Sequence, residues 1–370
     1  MDTINQKMAK AIIHYSTAVK PGERVFIRST SPAGEPLAQA LYQEALRANA
    51  HAFTYIHLRD ESSLALEATT DPALLATLNP MLELMYKTSD VIIRIEASEN
   101  PRALSDYPIE AQEAYTKTLG PLMKLQMERE GNGTLRRCTT LYPTHAYAQA
   151  AGMSYPQYQA FVREACKLHF HDPAAAWYQL SARQQTLLDY LKGKKQLHIT
   201  GNNIDLRMSI ANRHFLNDDG RANFPGGEVF TGPVEDSVNG WVKFTYPAYY
   251  GGNEVQGVEL TFKDGLITQA TAKKNQPFLE TILNTDPGAK RLGEFAIGTN
   301  YDIKRFTGSM LFDEKIGGTV HMAMGQGYIM SGSKNISAIH WDMVCDMRDG
   351  GEILIDDELF YKDGKLLIEM

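Results

Sequence analysis

The sequence predicts an α/β N-terminal domain built on a parallel sheet, followed by a mainly β (α+β) C-terminal domain. Three observations carry this. The chain has 370 residues, too many for one minimal core at roughly 100–200 residues per domain. In the first half, short apolar strand-like runs alternate with helix-length segments. Beyond about residue 190, strand-like runs are separated by Gly, Asn and Asp turns instead.

Taken in order, Ile4, Met8, Ile12 and Ile13 recur near helical spacing, so the chain opens with an amphipathic helix ending near Val19, before Pro21-Gly22. Glu23–Arg28 reads as a strand, Glu35–Ala48 as a helix rich in Ala, Leu and Gln, and His51–His57 as a second strand, which makes a βαβ unit. The pattern repeats with a helix at Pro72–Tyr86, a strand at Asp90–Glu96, a long helix from about Ile109 to Arg129 and a strand at Arg137–Leu141. Such alternation implies a parallel sheet covered on both faces, with right-handed crossovers. From about Ser154 to Leu191 the chain is helical, and Gly193-Lys194-Lys195 breaks it. A boundary near residue 190 follows, giving domains 1–190 and 191–370. In the second, Gln196–Thr200, Gly240–Tyr246, Val258–Phe262 and Glu352–Ile355 read as strands and Gln276–Leu283 as a helix.

Apolar residues make up 43% and charged residues 22%, an ordinary globular balance. Lys and Arg number 37 against 44 Asp and Glu, a net charge of −7, which argues against the nucleic-acid backbone or an anionic membrane as partner. A small or neutral ligand suits this surface better. Cys138, Cys166 and Cys345 are widely spaced and form no CxxC, so neither a disulfide framework nor a zinc ribbon is expected. Without a signal-peptide pattern or an apolar run of roughly 18 residues, the expected location is the cytoplasm. Gly325-Gln326-Gly327 lacks the third glycine of a dinucleotide turn, and no phosphate-binding GxxxxGK[ST] loop occurs.

The chemistry concentrates in the second half. His340 and Asp342 are two apart on a predicted strand and project from one face, where they can close on a cation or simply hydrogen-bond each other. His321 lies in the apolar run Thr319–Gly325, where a buried imidazole needs a partner. Further on, Tyr328 offers a phenol able to orient a water or stabilise an oxyanion. Glu228 follows a Pro-Gly-Gly turn and precedes a β-branched and aromatic run, a position usually just solvated. Glu294 is flanked by apolar residues in Leu292–Gly298, where burying a carboxylate is costly unless a cation compensates. Together Glu228, Glu294, His321, His340 and Asp342 supply oxygen and nitrogen donors without thiolate, the mixture that two divalent ions sharing a bridging carboxylate require. His169-Phe170-His171-Asp172 is better read as a solvated turn, Lys273-Lys274 as another, and no GxSxG elbow accompanies Ser309, Ser331 or Ser333.

At these motifs the chain resembles a known family. NFPGGEVFTGP, LGEFAIGTN, LFDEKIGGTVHMAMGQGY and IHWDMV are similar to signature stretches of the M29 metallopeptidases, the aminopeptidase T and aminopeptidase S type. VKPGERVFIR and TLYPTHAYAQAAGMSYPQY extend the resemblance over essentially the whole chain. It implies an N-terminal α/β domain, a C-terminal domain carrying two metal ions, a homodimer, and removal of N-terminal residues from peptides. The expected ions are zinc or cobalt, with manganese or magnesium as alternatives, and the expected preference is for apolar N-terminal residues. The family's metal positions carry over onto Glu228, Glu294, His321, His340 and Asp342, and its active-site tyrosine onto Tyr328. Glu228 or Glu294 would then be the general base, and Glu314 has no assigned role. After Tyr328 the segment Ile329–Ser333 departs from the Pro-Glu-Thr-Gly-Gly-like turn of relatives, which bears on substrate preference.

Two other readings compete. Ring-cleaving 2,5-dihydroxypyridine dioxygenases are similar and use one Fe(II) held by two His and one Asp, here His321, His340 and Asp342. The pair Glu228 and Glu294 favours the peptidase, since a mononuclear triad has no use for them. A ligand-binding protein with structural metal would normally close its site with Cys-rich ligands, and Cys345 points away from Asp342 on a continuing strand.

Overall fold

A computed structural model describes residues 3–69, 71–105, 107–108, 112 and 119–368. The chain forms two compact units, one of residues 1–177 and 220–225, the other of 178–219 and 226–370.

The first unit is built on a five-stranded parallel sheet in the order His51–Ile56, Arg24–Ser29, Val91–Glu96, Arg136–Leu141, Asn223–Phe224. The inner strands Arg24–Ser29 and Val91–Glu96 are buried along most of their length, which is why they read as near-continuous apolar runs. Helix Glu35–Arg47 packs Leu37, Ala38, Leu41 and Ala45 inward. The α/β expectation for this half is therefore met. The helix expected over Pro72–Tyr86 is two, Pro72–Leu75 and Pro80–Thr88. Asn79 is extended, as a residue before proline prefers, and its side chain accepts from the Met81 N–H to start the second helix. Of the helix expected from about Ile109 to Arg129, Gly120–Gly131 is observed, and its first part lies outside the described residues. Helices Glu61–Ala68 and His145–Ala150 were not expected.

The units divide at Trp177, inside helix Pro173–Leu191, rather than near residue 190. Trp177 is fully buried and lies against Tyr15 and Phe224 in the first unit, with ring centroids at 6.4 and 5.2 Å. Leu187 and Leu191 instead join the core of the second unit. One helix serves two cores, so the charged break after it marks a helix end and not a domain boundary. The segment 220–225 also returns to the first unit, adding the strand Asn223–Phe224.

The second unit holds an eight-stranded sheet and a five-stranded sheet, the latter antiparallel in the order His340–Asp346, Thr319–Gly325, Leu292–Gly298, Glu228–Thr231, Leu216–Asp218. Its main core draws Leu206, Val242 and Leu260 from the larger sheet and Phe295, Met322 and Met343 from the smaller. On the smaller sheet, past an irregularity in register between Leu292 and Glu294, the two-residue alternation sorts the side chains. Val229, Phe295, Ile297, Val320, Met322, Trp341, Met343 and Cys345 enter that core. Their alternates Glu228, Glu294, His321, His340 and Asp342 therefore share the other face.

Candidate metal centre

Cross-strand register brings that second face together. Ala323 pairs with Glu294 on one side and with Asp342 on the other, and Ala296 pairs with His321. The small side chains of Ala296 and Ala323 leave room above them for the long acidic and imidazole groups alongside. Glu228 starts its strand opposite Gly298, and His340 lies opposite Gly325.

Both imidazoles are oriented by backbone. A carbonyl can only accept, so His321 Nδ1 donates to Glu314 O at 2.9 Å and His340 Nδ1 donates to Gln326 O at 2.8 Å. Each Nε2 is thereby turned to the carboxylates, the arrangement that holds a histidine ready for a metal. His321 Nε2 lies 3.3 Å from Glu228 Oε2 and 3.5 Å from Glu294 Oε1. His340 Nε2 lies 3.2 Å from Glu294 Oε2 and 3.4 Å from Asp342 Oδ1. Three sets can each surround an ion: Glu228–Glu294–His321, Glu294–His340–Asp342 and Glu314–His321–Asp342. Glu294 is common to the first two, with one oxygen toward each imidazole.

Electrostatics make the same point. Burial opposes an imidazolium at His321, but the charges of Glu228, Glu294 and Asp342 outweigh it and push its pKa up to about 10. His340 is also raised, by Asp342 and Glu294 against its burial. Burial would raise Asp342, yet His340 and His321 hold it down at about 2. Glu228 is raised well above the usual carboxylate range by burial and by the nearby Glu314 and Asp218 charges. The carboxylates thus demand positive charge, which protons on the imidazoles supply until a cation replaces them. Glu228 Oε2 is buried without a hydrogen-bond partner, and the donors are oxygen and nitrogen, so the residues fit divalent metal ions.

Every residue singled out in the sequence for metal binding lies in this cluster. Tyr328 stands at its edge, 45% exposed, with its ring 5.0 Å from Phe230 and edge-on to His340 at 5.4 Å. Its loop is pinned by Ser331, whose Oγ donates to Tyr328 O and accepts from the Gly232 N–H. His169, His171 and Asp172 are exposed in a turn, where Asp172 accepts from the Ala175 N–H. Three further residues belong to it, Glu314, to which the sequence assigned no role, and Asp218 and Lys315, which it did not single out. Lys315 is fully buried and reaches Asp218 at 3.4 Å, Glu228 at 3.6 Å and Glu314. Glu314 and Lys315 lie in the charged run Asp313-Glu314-Lys315 between Phe312 and Ile316, which from sequence reads as a solvated turn.

The turn before Glu228 is backbone-critical. Gly227 has φ +128°, and a Cβ there would lie 2.4 Å from Asn300 Cβ. Gly227 N–H donates to Asp218 O, and Thr299 N–H to Gly227 O, both at 2.7 Å. Gly227→Ala is expected to cost about 2–4 kcal/mol from strain and overpacking, read as a lower urea midpoint at unchanged m-value.

A family model described as thermophilic metalloprotease (M29) matches residues 1–366. Aminopeptidase 2 of Geobacillus stearothermophilus is 27% identical over 87% of this chain and 83% of its own length. Aminopeptidase T of Thermus thermophilus is 27% identical over 87% of this chain and 84% of its own. Among solved structures, wild-type AmpT from Thermus thermophilus superposes with a TM-score of 0.85 at 22% identity, covering 99% of both chains, a likeness of fold. The ring-cleaving alternative gains no support from these relatives; His321 and His340 each share a ligand set with Asp342, but not the same set.

Proposed function

The chain belongs to the M29 family of metalloproteases, and from that premise we propose that it is a metal-dependent aminopeptidase removing apolar N-terminal residues from peptides. The observation that carries the reading is Glu294, whose two oxygens address two different imidazoles. Two divalent ions per chain, zinc or cobalt with manganese or magnesium as alternatives, suit the paired sets. Glu228, His321 and Glu294 would hold one, and His340, Asp342 and Glu294 the other. When bound, such ions supply Lewis acidity and a water acidified toward a pKa of about 7.

The chain's own groups do the rest. The sequence expectation gave the general base to Glu228 or Glu294. With both Glu294 oxygens directed at imidazoles, proton transfer falls to a carboxylate that is not shared between the sets. Of Glu228 and Glu314, the Glu314 side chain is the more open, at 16% exposure against 6%. Burial and the Asp342 charge raise its pKa against the pull of Lys315, which favours a proton acceptor near neutral pH. Tyr328 is assigned to the oxyanion. Tyr328→Phe is expected to lower kcat by about 10²-fold with metal content unchanged, checked by steady-state kinetics and metal analysis of one preparation.

Preference for apolar residues is supported by Ile329 and Met330, exposed immediately after Tyr328. The reading includes the homodimer implied by the family and a cytoplasmic location, consistent with three buried free cysteines; no described helix is long and apolar enough to cross a membrane. Leu-p-nitroanilide and its N-acetylated form provide the test. Hydrolysis of the first alone, abolished by chelation and restored at two metal equivalents, is expected. Equal hydrolysis of both would remove the aminopeptidase assignment.

A further inference from the structure

In the parallel sheet of the first unit the strand order reverses at Arg24–Ser29, with His51–Ile56 on one side and Val91–Glu96 on the other. In open parallel sheets, the crevice beyond the carboxyl ends of the strands at such a reversal is where ligands bind. A cavity of about 700 Å³ lies there, lined by Thr30 and Ser31 after the first strand, His57 after the second, and Ser98 and Glu99 after the third.

Arg28 lines this cavity and is only 6% exposed. Its Nε donates to His57 Nε2 at 2.9 Å and its Nη1 to the Tyr86 hydroxyl at 3.4 Å. Among the described residues no carboxylate comes within ion-pair distance of it. His57 does not provide the countercharge: burial and the Arg28 charge hold its pKa below the ordinary value, and it shares its Nδ1 with Glu61 at 3.0 Å. Neighbouring Arg94, by contrast, is paired with Glu96 at 2.6 Å. A buried guanidinium without an anion is costly, and its planar fork matches a carboxylate. Leu75, Leu78 and Leu82 add apolar wall to the same space.

We propose that this cavity is a second binding site, separate from the metal centre, for a small monocarboxylate with an apolar body, its carboxylate paired with Arg28. Arg28 offers one guanidinium with no direct carboxylate partner, enough for one carboxylate group. Asp60, Glu61, Glu96 and Glu99 also line the cavity, and they would repel a doubly charged phosphate more than a singly charged carboxylate.

The test is calorimetric titration of the metal-loaded 370-residue chain with 4-methylpentanoate, which lacks the amine of a peptidase product. Its amide and inorganic phosphate serve as companion probes. Saturable binding of the carboxylate is expected, weaker by at least about tenfold for the amide, for phosphate and for Arg28→Met, a loss of about 1.4 kcal/mol or more. Binding to Glu294→Gln should match wild type, because the metal centre takes no part. Arg28→Met should also keep or raise Tm, since it removes an unpaired buried charge. Arg28→Lys, with the charge but not the fork, serves where the methionine variant fails to fold, and should bind more weakly than wild type. Equal binding by a folded Arg28 variant and wild type overturns the proposal. So does tighter binding of phosphate, loss of binding in Glu294→Gln, or no saturable binding at all.

Discussion

Glu294→Gln is expected to lower kcat/KM for Leu-p-nitroanilide by on the order of 10³-fold, with the circular dichroism spectrum unchanged. The two oxygens of Glu294 face His321 and His340 at 3.5 and 3.2 Å. An amide keeps one acceptor but presents NH₂ donors in place of the other, so one ligand set loses a member and the buried face loses a negative charge. Metal stoichiometry should fall from two equivalents to one in the same preparation that loses activity. A purely structural carboxylate would instead reveal itself as a change in Tm alone. A folded, fully metallated variant with wild-type turnover would remove Glu294 from the site.

The part of the site carried on long strands was legible in the sequence because alternation fixes direction. In Leu292–Gly298, Thr319–Gly325 and His340–Asp346 the flanking Phe295, Met322 and Trp341 are core residues, so a polar group between such positions must face the other way. Asp218, Glu314 and Lys315 have no such frame. Asp218 closes a three-residue strand, and Glu314 and Lys315 follow the four-residue helix Met310–Asp313, segments too short for periodicity to tell inside from outside. The same limit explains the domain boundary. Helix Pro173–Leu191 reads as one continuous pattern, and nothing local distinguishes Trp177, packed in one core, from Leu187, packed in another. The break before Pro80 was visible as Asn-Pro, but the apolar run across it masked the stop.

Lys315→Met should destabilise the metal-free protein by roughly 3–5 kcal/mol, and by clearly less once metal is bound. Lys315 is fully buried, and burial alone would lower its pKa, yet Glu228, Glu314 and Asp218 outweigh that and keep it charged. It is therefore the permanent cation of an otherwise acidic interior, present whether or not the imidazoles carry protons. Methionine keeps much of the unbranched stem and removes the charge with its hydrogen bond to Glu314, leaving three neighbouring carboxylates to repel one another. Bound divalent ions would restore positive charge to Glu228 and Glu314, so the deficit should shrink with metal occupancy. Urea unfolding of wild type and variant, each in excess chelator and in saturating zinc, measures both differences. An equal loss in the two conditions would assign Lys315 to packing alone, whereas a loss confined mainly to the chelated protein would identify the lysine as what holds the acidic cluster together before metal arrives.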